Sequence, residues 1–145
     1  LQAGKKLTLV KVDKKTGEKV LISSRTYKVS KDGTVTADTK DAGDYVLLNE
    51  KDAKALSSKI LKSIALKDTK KTVANGKKAK VTFDKNLNME NVKKITYTSS
   101  KKSVVTVNKN GTIVAKKAGK AVVKVKVTLK NGKTKTVKMT IKVTK

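Results

Sequence analysis

Cysteine, histidine, proline and tryptophan are all absent from the 145 residues. Without cysteine there are no disulfides, no thiolate metal sites and no thiol nucleophile. Without histidine, the usual base behind a nucleophile and a frequent zinc ligand are missing too. Aromatics are reduced to Tyr27, Tyr45, Phe83 and Tyr97, few for a protein that stacks on sugars or unpaired bases. Arg25 is the only arginine, so the bidentate fork that reads base edges is nearly missing. No run approaches the ~18 apolar residues of a membrane-spanning helix. The opening Leu1-Gln2-Ala3-Gly4 has neither an initiator Met nor a signal-peptide apolar stretch, which reads as a mature product or an excised fragment.

Acidic residues are scarce, 11 against 37 Lys+Arg, for a net charge of +26. The imbalance grows along the chain: residues 1–63 hold 14 basic and 8 acidic side chains, residues 64–145 hold 23 and 3. Such a field attracts polyanions in general. A paired-carboxylate hydrolase needs two acids facing each other across a cleft, yet Asp68, Asp84 and Glu90 all fall beside predicted turns or loops. We therefore expect no catalytic residue, no metal and no cofactor, and read the chain as non-enzymatic. Asp38, Asp41 and Asp44 read as a polar turn, because calcium loops concentrate more carboxylates at alternate positions.

What is present is β-branched and regularly punctuated. Thr16-Gly17, Asp32-Gly33, Asn75-Gly76, Asn110-Gly111 and Asn131-Gly132 separate runs rich in Val, Ile and Thr. Asn-Gly and Asp-Gly suit two-residue hairpins in which both central residues take positive φ. The last strand pair is the plainest: Ala121, Val123, Val125, Val127 and Leu129 alternate with mostly lysine, and Val137, Met139, Ile141 and Val143 do the same after the turn. This is the period-2 pattern of strands with one apolar and one solvated face. Ala79 to Phe83, Ile95 to Thr98, Val104 to Val107 and Thr112 to Ala115 complete six or seven strands, which an antiparallel sandwich accommodates. The fold class is mainly β.

The first half predicts two hairpins, Leu7–Val12 with Val20–Ser23 and Tyr27–Ser30 with Thr34–Ala37, plus a strand over Tyr45–Leu48. One helix is predicted over about 50–62. Asn49 can cap it, Glu50 and Asp52 suit its positive end, and Ala53, Leu56 and Ile60, with Ile64 as an optional fourth member, form an apolar stripe expected to cover the small sheet or join the halves. The expected organisation is a small β module over 1–49, a helical connector over 50–63 and a sandwich over 64–145.

Within 64–145 the motifs follow one another in a recognisable order. Ile64-Ala65-Leu66 leads to Asn75-Gly76 and Lys80-Val81-Thr82-Phe83, then to Tyr97-Thr98-Ser99-Ser100 and Val104-Val105-Thr106-Val107. Asn110-Gly111-Thr112-Ile113-Val114-Ala115 and Ala118-Gly119-Lys120-Ala121-Val122-Val123 follow. This series resembles the bacterial immunoglobulin-like domain, group 2 family, with Tyr97 where Trp is commoner. The resemblance implies an Ig-like sandwich in a cell-surface or secreted protein, an extracellular setting and a role in adhesion or attachment. Lys11-Val12-Asp13-Lys14-Lys15-Thr16-Gly17, Asp32-Gly33-Thr34-Val35 and Gly43-Asp44-Tyr45-Val46-Leu47 look like a short β module of exported Gram-positive surface proteins.

The candidate site is the lysine side of the last two strands. Lys124, Lys126, Lys138 and Lys142 should project together and contact a cell-wall or host-surface polyanion; a protein receptor is the other partner considered. Specific nucleic-acid recognition is not expected. Two alternatives stand beside this: a passive spacer, whose lysines only blunt strand edges and keep the sandwich soluble, and a carbohydrate-binding module using Tyr27 and Tyr45.

Overall fold

The computed structural model describes residues 2–37, 39, 42–84 and 87–145, with the side chains of 23–25 excepted. Two compact units are formed, one from Leu1–Leu61, Asn88–Lys93 and Leu129–Lys133, the other from Lys62–Leu87, Lys94–Thr128 and Thr134–Lys145.

In the first unit, β1 (Lys6–Val12) is the centre of a three-stranded antiparallel sheet, flanked by β2 (Lys19–Lys28) and β3 (Asp44–Asn49). The first predicted hairpin forms, but its second strand runs well past Ser23. A register shift between Thr8 and Val10, two residues on β1 against five on β2, lets β1 pair both with Lys19–Leu21 and with Thr26–Lys28, as extra residues in one strand of an antiparallel pair allow. The second predicted hairpin does not form. Tyr27 and Lys28 are taken up by β1, and the residues from Thr34 to Ala37 are not strand. What remains is a local turn. Ser30 N–H donates to Thr34 O and Gly33 N–H to Ser30 O, while the Asp32 carboxylate accepts from Ser30 Oγ, from Thr34 Oγ1 at 2.7 Å and from Thr34 N–H at 3.1 Å. The side chains thereby satisfy the turn without a ladder behind it.

Helix α1 (Glu50–Ser63) follows β3 directly. Asn49 caps it: Asn49 Oδ1 accepts from Asp52 N–H at 2.8 Å, and Asn49 Nδ2 donates to the Asp52 carboxylate at 2.8 Å. Of its predicted apolar stripe only Ile64, just past the end of the helix, is buried. Ala53, Leu56 and Ile60 are only half-buried, and Ser57 is the buried side chain of the helix. Ser57 Oγ donates to Ala53 O and accepts from Asn131 Nδ2 at 2.6 Å. A second buried polar side chain, Asn91, sits in the 3-10 turn Met89–Asn91; its Oδ1 accepts the buried Leu21 N–H at 2.8 Å. Leu7, Leu9, Val10, Val20, Leu21, Val29 and Leu48 supply the apolar core of this unit.

The second unit holds two sheets. One has the order β4 (Lys70–Ala74), β10 (Thr134–Thr144), β9 (Gly119–Leu129), β6 (Val92–Ser99); the other runs β5 (Lys78–Lys80), β8 (Thr112–Ala115), β7 (Val105–Val107). Strands β9 and β10 are an 11-residue antiparallel pair in unbroken register. Strand β4 joins β10 in parallel and was not expected from sequence, because Lys71 stands where the pattern calls for an apolar residue opposite Ile141. Ile64 to Leu66, which opens the family-like motif series, contributes a bridge from Leu66 to Phe83 and no named strand. Val123, Val125, Val127, Ile113, Val105 and Ile141 are fully enclosed, each contributing about 1.5–3 kcal/mol of burial. The Asn-Gly turns differ from the expectation in one respect. Gly76, Gly111 and Gly132 have positive φ, but among the described residues no non-glycine residue does. The two-residue type with both centres left-handed is therefore not used; at Asn131-Gly132, Leu129 N–H donates to Lys133 O and Gly132 N–H to Leu129 O.

Candidate functional site

Alternation in β9 and β10 places every other residue in the core and the rest outside. Val123, Val125, Val127, Met139, Ile141 and Val143 are buried, and Lys124, Lys126, Lys138 and Lys142 are all exposed. The strand register then pairs them. Lys138 stands opposite Lys124, Lys142 opposite Lys120, and Thr136 opposite Lys126. Two of the four candidates are thus direct cross-strand neighbours, and the other two sit on different rungs of the same ladder. Cross-strand partners lie about 5 Å apart at Cα, and like charges at that separation oppose pairing.

To the four lysines the sheet adds three. Lys120 extends the pattern by one rung, Lys70 arrives on β4 opposite Thr140, and Lys94 lies on β6. Lys120 is readable from the same alternation. Lys70 is not, because Lys71 at an inward position of β4 breaks the alternation that marks a strand. Threonine fills most of the remaining outward positions, including Thr72, Thr128, Thr136 and Thr140. Asp68 and Asp84, the acidic residues of this unit, lie outside its strands. Among the described residues the one ion pair is Lys54 with Glu50 at 3.1 Å on the helix, so no carboxylate neutralises the face.

The other candidates fare differently. Tyr27 is paired with Leu7 and Tyr45 with Lys11, four residues apart along β1 and on opposite flanking strands, and both rings are half-buried. They do not form a flat exposed pair. Asp38 and Asp41 lie outside the described residues, and Asp44 opens β3. Among the described residues no three carboxylates converge on a point that could hold a metal ion, and no helix is long and apolar enough to cross a membrane. Titration is perturbed at Asp32, whose hydrogen bonds from Ser30 and Thr34 lower it to about 2, at Glu50, lowered by Lys54, and at Tyr97, raised by burial. None of these belongs to the lysine face.

The second unit is thus an Ig-like β-sandwich carrying a cationic sheet surface. Residues 60–144 match the model of the bacterial Ig-like domain (group 2), and the chain belongs to that family. Among solved structures, domains 4 and 5 of the S-layer protein SbsC are similar over 96% of this chain and 98% of that one, at 16% identity and a TM-score of 0.43. A longer SbsC structure, domains 4–9, is similar over 99% of this chain and 22% of that one, at 20% identity and a TM-score of 0.43. No curated protein matches the chain.

Proposed function

We propose that the chain is a non-catalytic module of a bacterial surface or secreted protein that attaches to an anionic polymer through the outer face of its large sheet. The observation that carries the reading is the facing of Lys124 with Lys138 on an exposed surface with no carboxylate among its outward strand positions. Sheets that use lysine only for solubility have no reason to set like charges directly opposite one another, since each such pair weakens the ladder. An anion bound between the two ammonium groups reverses that sign. Family membership supports the surface setting, since group 2 Ig-like domains are common in surface and secreted bacterial proteins. The separation of Tyr27 from Tyr45 weighs against a sugar-stacking module.

Co-sedimentation with purified bacterial cell walls, before and after removal of their anionic polymer, tests the reading at ~0.15 M salt, where diffuse attraction is largely screened. The native chain is expected to pellet with intact walls only. A K124E/K126E/K138E/K142E variant with an unchanged circular dichroism spectrum is expected to stay in solution. Equal retention of the two would sink the proposal, and no retention of either would leave a spacer.

A further inference from the structure

The outward positions of the large sheet recur at a fixed interval. Each two-residue step along β10 advances about 6.7 Å, and the register assigns every step its neighbours. At the first, Lys142 stands between Thr72 and Lys120. At the second, Thr140 stands between Lys70 and Val122. The third pairs Lys138 with Lys124, and the fourth pairs Thr136 with Lys126. Four consecutive steps, roughly 20 Å of sheet, therefore each present at least one lysine, and most add a threonine hydroxyl.

That interval has a chemical counterpart. Three extended backbone bonds span roughly 3.6 Å, so a polymer repeating every six bonds advances about 7 Å per unit. A phosphodiester joined through a three-carbon polyol has six bonds in its repeat: two from phosphorus to oxygen, two from oxygen to carbon, and two between carbons. Its phosphates would fall one to each step of the sheet. The two unbridged oxygens of one phosphate can accept from both lysines of a facing pair, as charge-assisted hydrogen bonds. The threonines can bond the linker's free hydroxyls. Nothing on the face selects a ring. Its strands present neither arginine nor an outward aromatic side chain, the groups by which proteins read or stack on bases.

We propose that this face binds a linear polyol-phosphate chain lying along β10, one phosphate to each two-residue step. The proposal rests on the reading of the face as an anionic-polymer contact and adds the polymer's class and its register. The Lys124–Lys138 and Lys120–Lys142 pairs are the strong positions, Lys70 and Lys126 the intermediate ones.

The test uses synthetic poly(glycerol phosphate) of increasing length in isothermal titration at ~0.15 M salt. Oligothymidylate and heparin fragments of equal charge serve as comparisons. Affinity for the polyol phosphate is expected to climb to about four phosphates, one per step, and then to level. A K70T/T72K exchange conserves net charge but vacates the second step. It is expected to weaken binding about tenfold and to lower the salt dependence by about one unit of slope. A K102S/S103K exchange, at two exposed turn residues outside every strand, also conserves net charge and is expected to bind like the native chain, which controls for rearranged charge away from the face.

Equal binding by the native chain and K70T/T72K would overturn the register while leaving a diffuse cationic face. Tighter binding of oligothymidylate or heparin would overturn the polymer class. Failure of all three polymers would overturn both this proposal and the function on which it rests.

Discussion

At Gly111 the backbone φ is 79°, and a β carbon there would come within 2.9 Å of Tyr97 Cζ. Gly76 has φ 80° and nothing within 4 Å of the same position. The two glycines thus separate a backbone cost from a packing cost. Gly76→Ala is expected to lose about 1 kcal/mol from the left-handed conformation alone, and Gly111→Ala more, because the half-buried Tyr97 ring must move. Urea unfolding of the two variants gives the difference, and equal losses would mean the ring yields freely. Asp32 supplies a titration test at the same scale. Its carboxyl is lowered to about 2 by the Ser30 and Thr34 hydrogen bonds. The folded value lies below the ordinary 3.8, so whatever the turn gains from the ionised form is complete above that value and is lost as pH falls through about 2. Carbon-13 titration of the Asp32 carboxyl should show its midpoint near 2, and a midpoint near 3.8 would mean that the turn is open in solution. The Asp32-Gly33 turn was legible from its residue types. The absence of a hairpin behind it was not, because Tyr27 and Lys28 had a better partner in β1.

The β9–β10 ladder is stable in spite of its outer face, since its inner face encloses Val123, Val125, Val127, Met139 and Ile141. Removing one charge of a facing pair should therefore strengthen it. Lys124→Thr is expected to raise stability by about 0.2–1 kcal/mol at low salt, from lost repulsion and a better strand former. The gain should shrink at ~1 M salt, where screening acts within about 3 Å, and paired thermal melts at the two salts check it. A gain that ignores salt would assign the effect to strand propensity. Asn91 makes the opposite prediction in the first unit. Its side chain accepts the buried Leu21 N–H at 2.8 Å, so Asn91→Ala strands that donor and is expected to cost about 1–3 kcal/mol in chemical denaturation. A loss within ~0.5 kcal/mol, the range of neutral surface changes, would mean that water or another acceptor replaces the amide. Neither partner suggests the other from sequence: Leu21 and Asn91 are 70 residues apart, and an asparagine before a strand reads as a turn residue. Ser57 was hidden for a related reason, since helical periodicity nominates Ala53, Leu56 and Ile60, and a polar contact to Asn131 decides which face is covered.

For the whole chain the dominant quantity is a net charge of +26, with one ion pair among the described residues to offset it. Self-repulsion of this kind opposes the compact state. The thermal midpoint is therefore expected to rise by several degrees between ~0.02 and ~0.5 M sodium chloride as screening shortens the range of repulsion, and differential scanning calorimetry reads it directly. A flat response would mean that the lysines are too far apart to repel. The sequence by itself determined the mainly β class, the helix after Asn49, the identities of the inward residues of β9 and β10, and the sign of the surface. All of these follow from local periodicity, capping chemistry and charge, which need no knowledge of the chain's path. Tertiary structure decided which strands meet. It set Lys124 against Lys138 and Lys120 against Lys142, brought Lys70 in on an unforeseen parallel strand, diverted Tyr27 away from its expected hairpin, and paired Asn91 with Leu21. Cross-strand register is a non-local quantity, fixed by which apolar faces close over one another, and the candidate site is built from register.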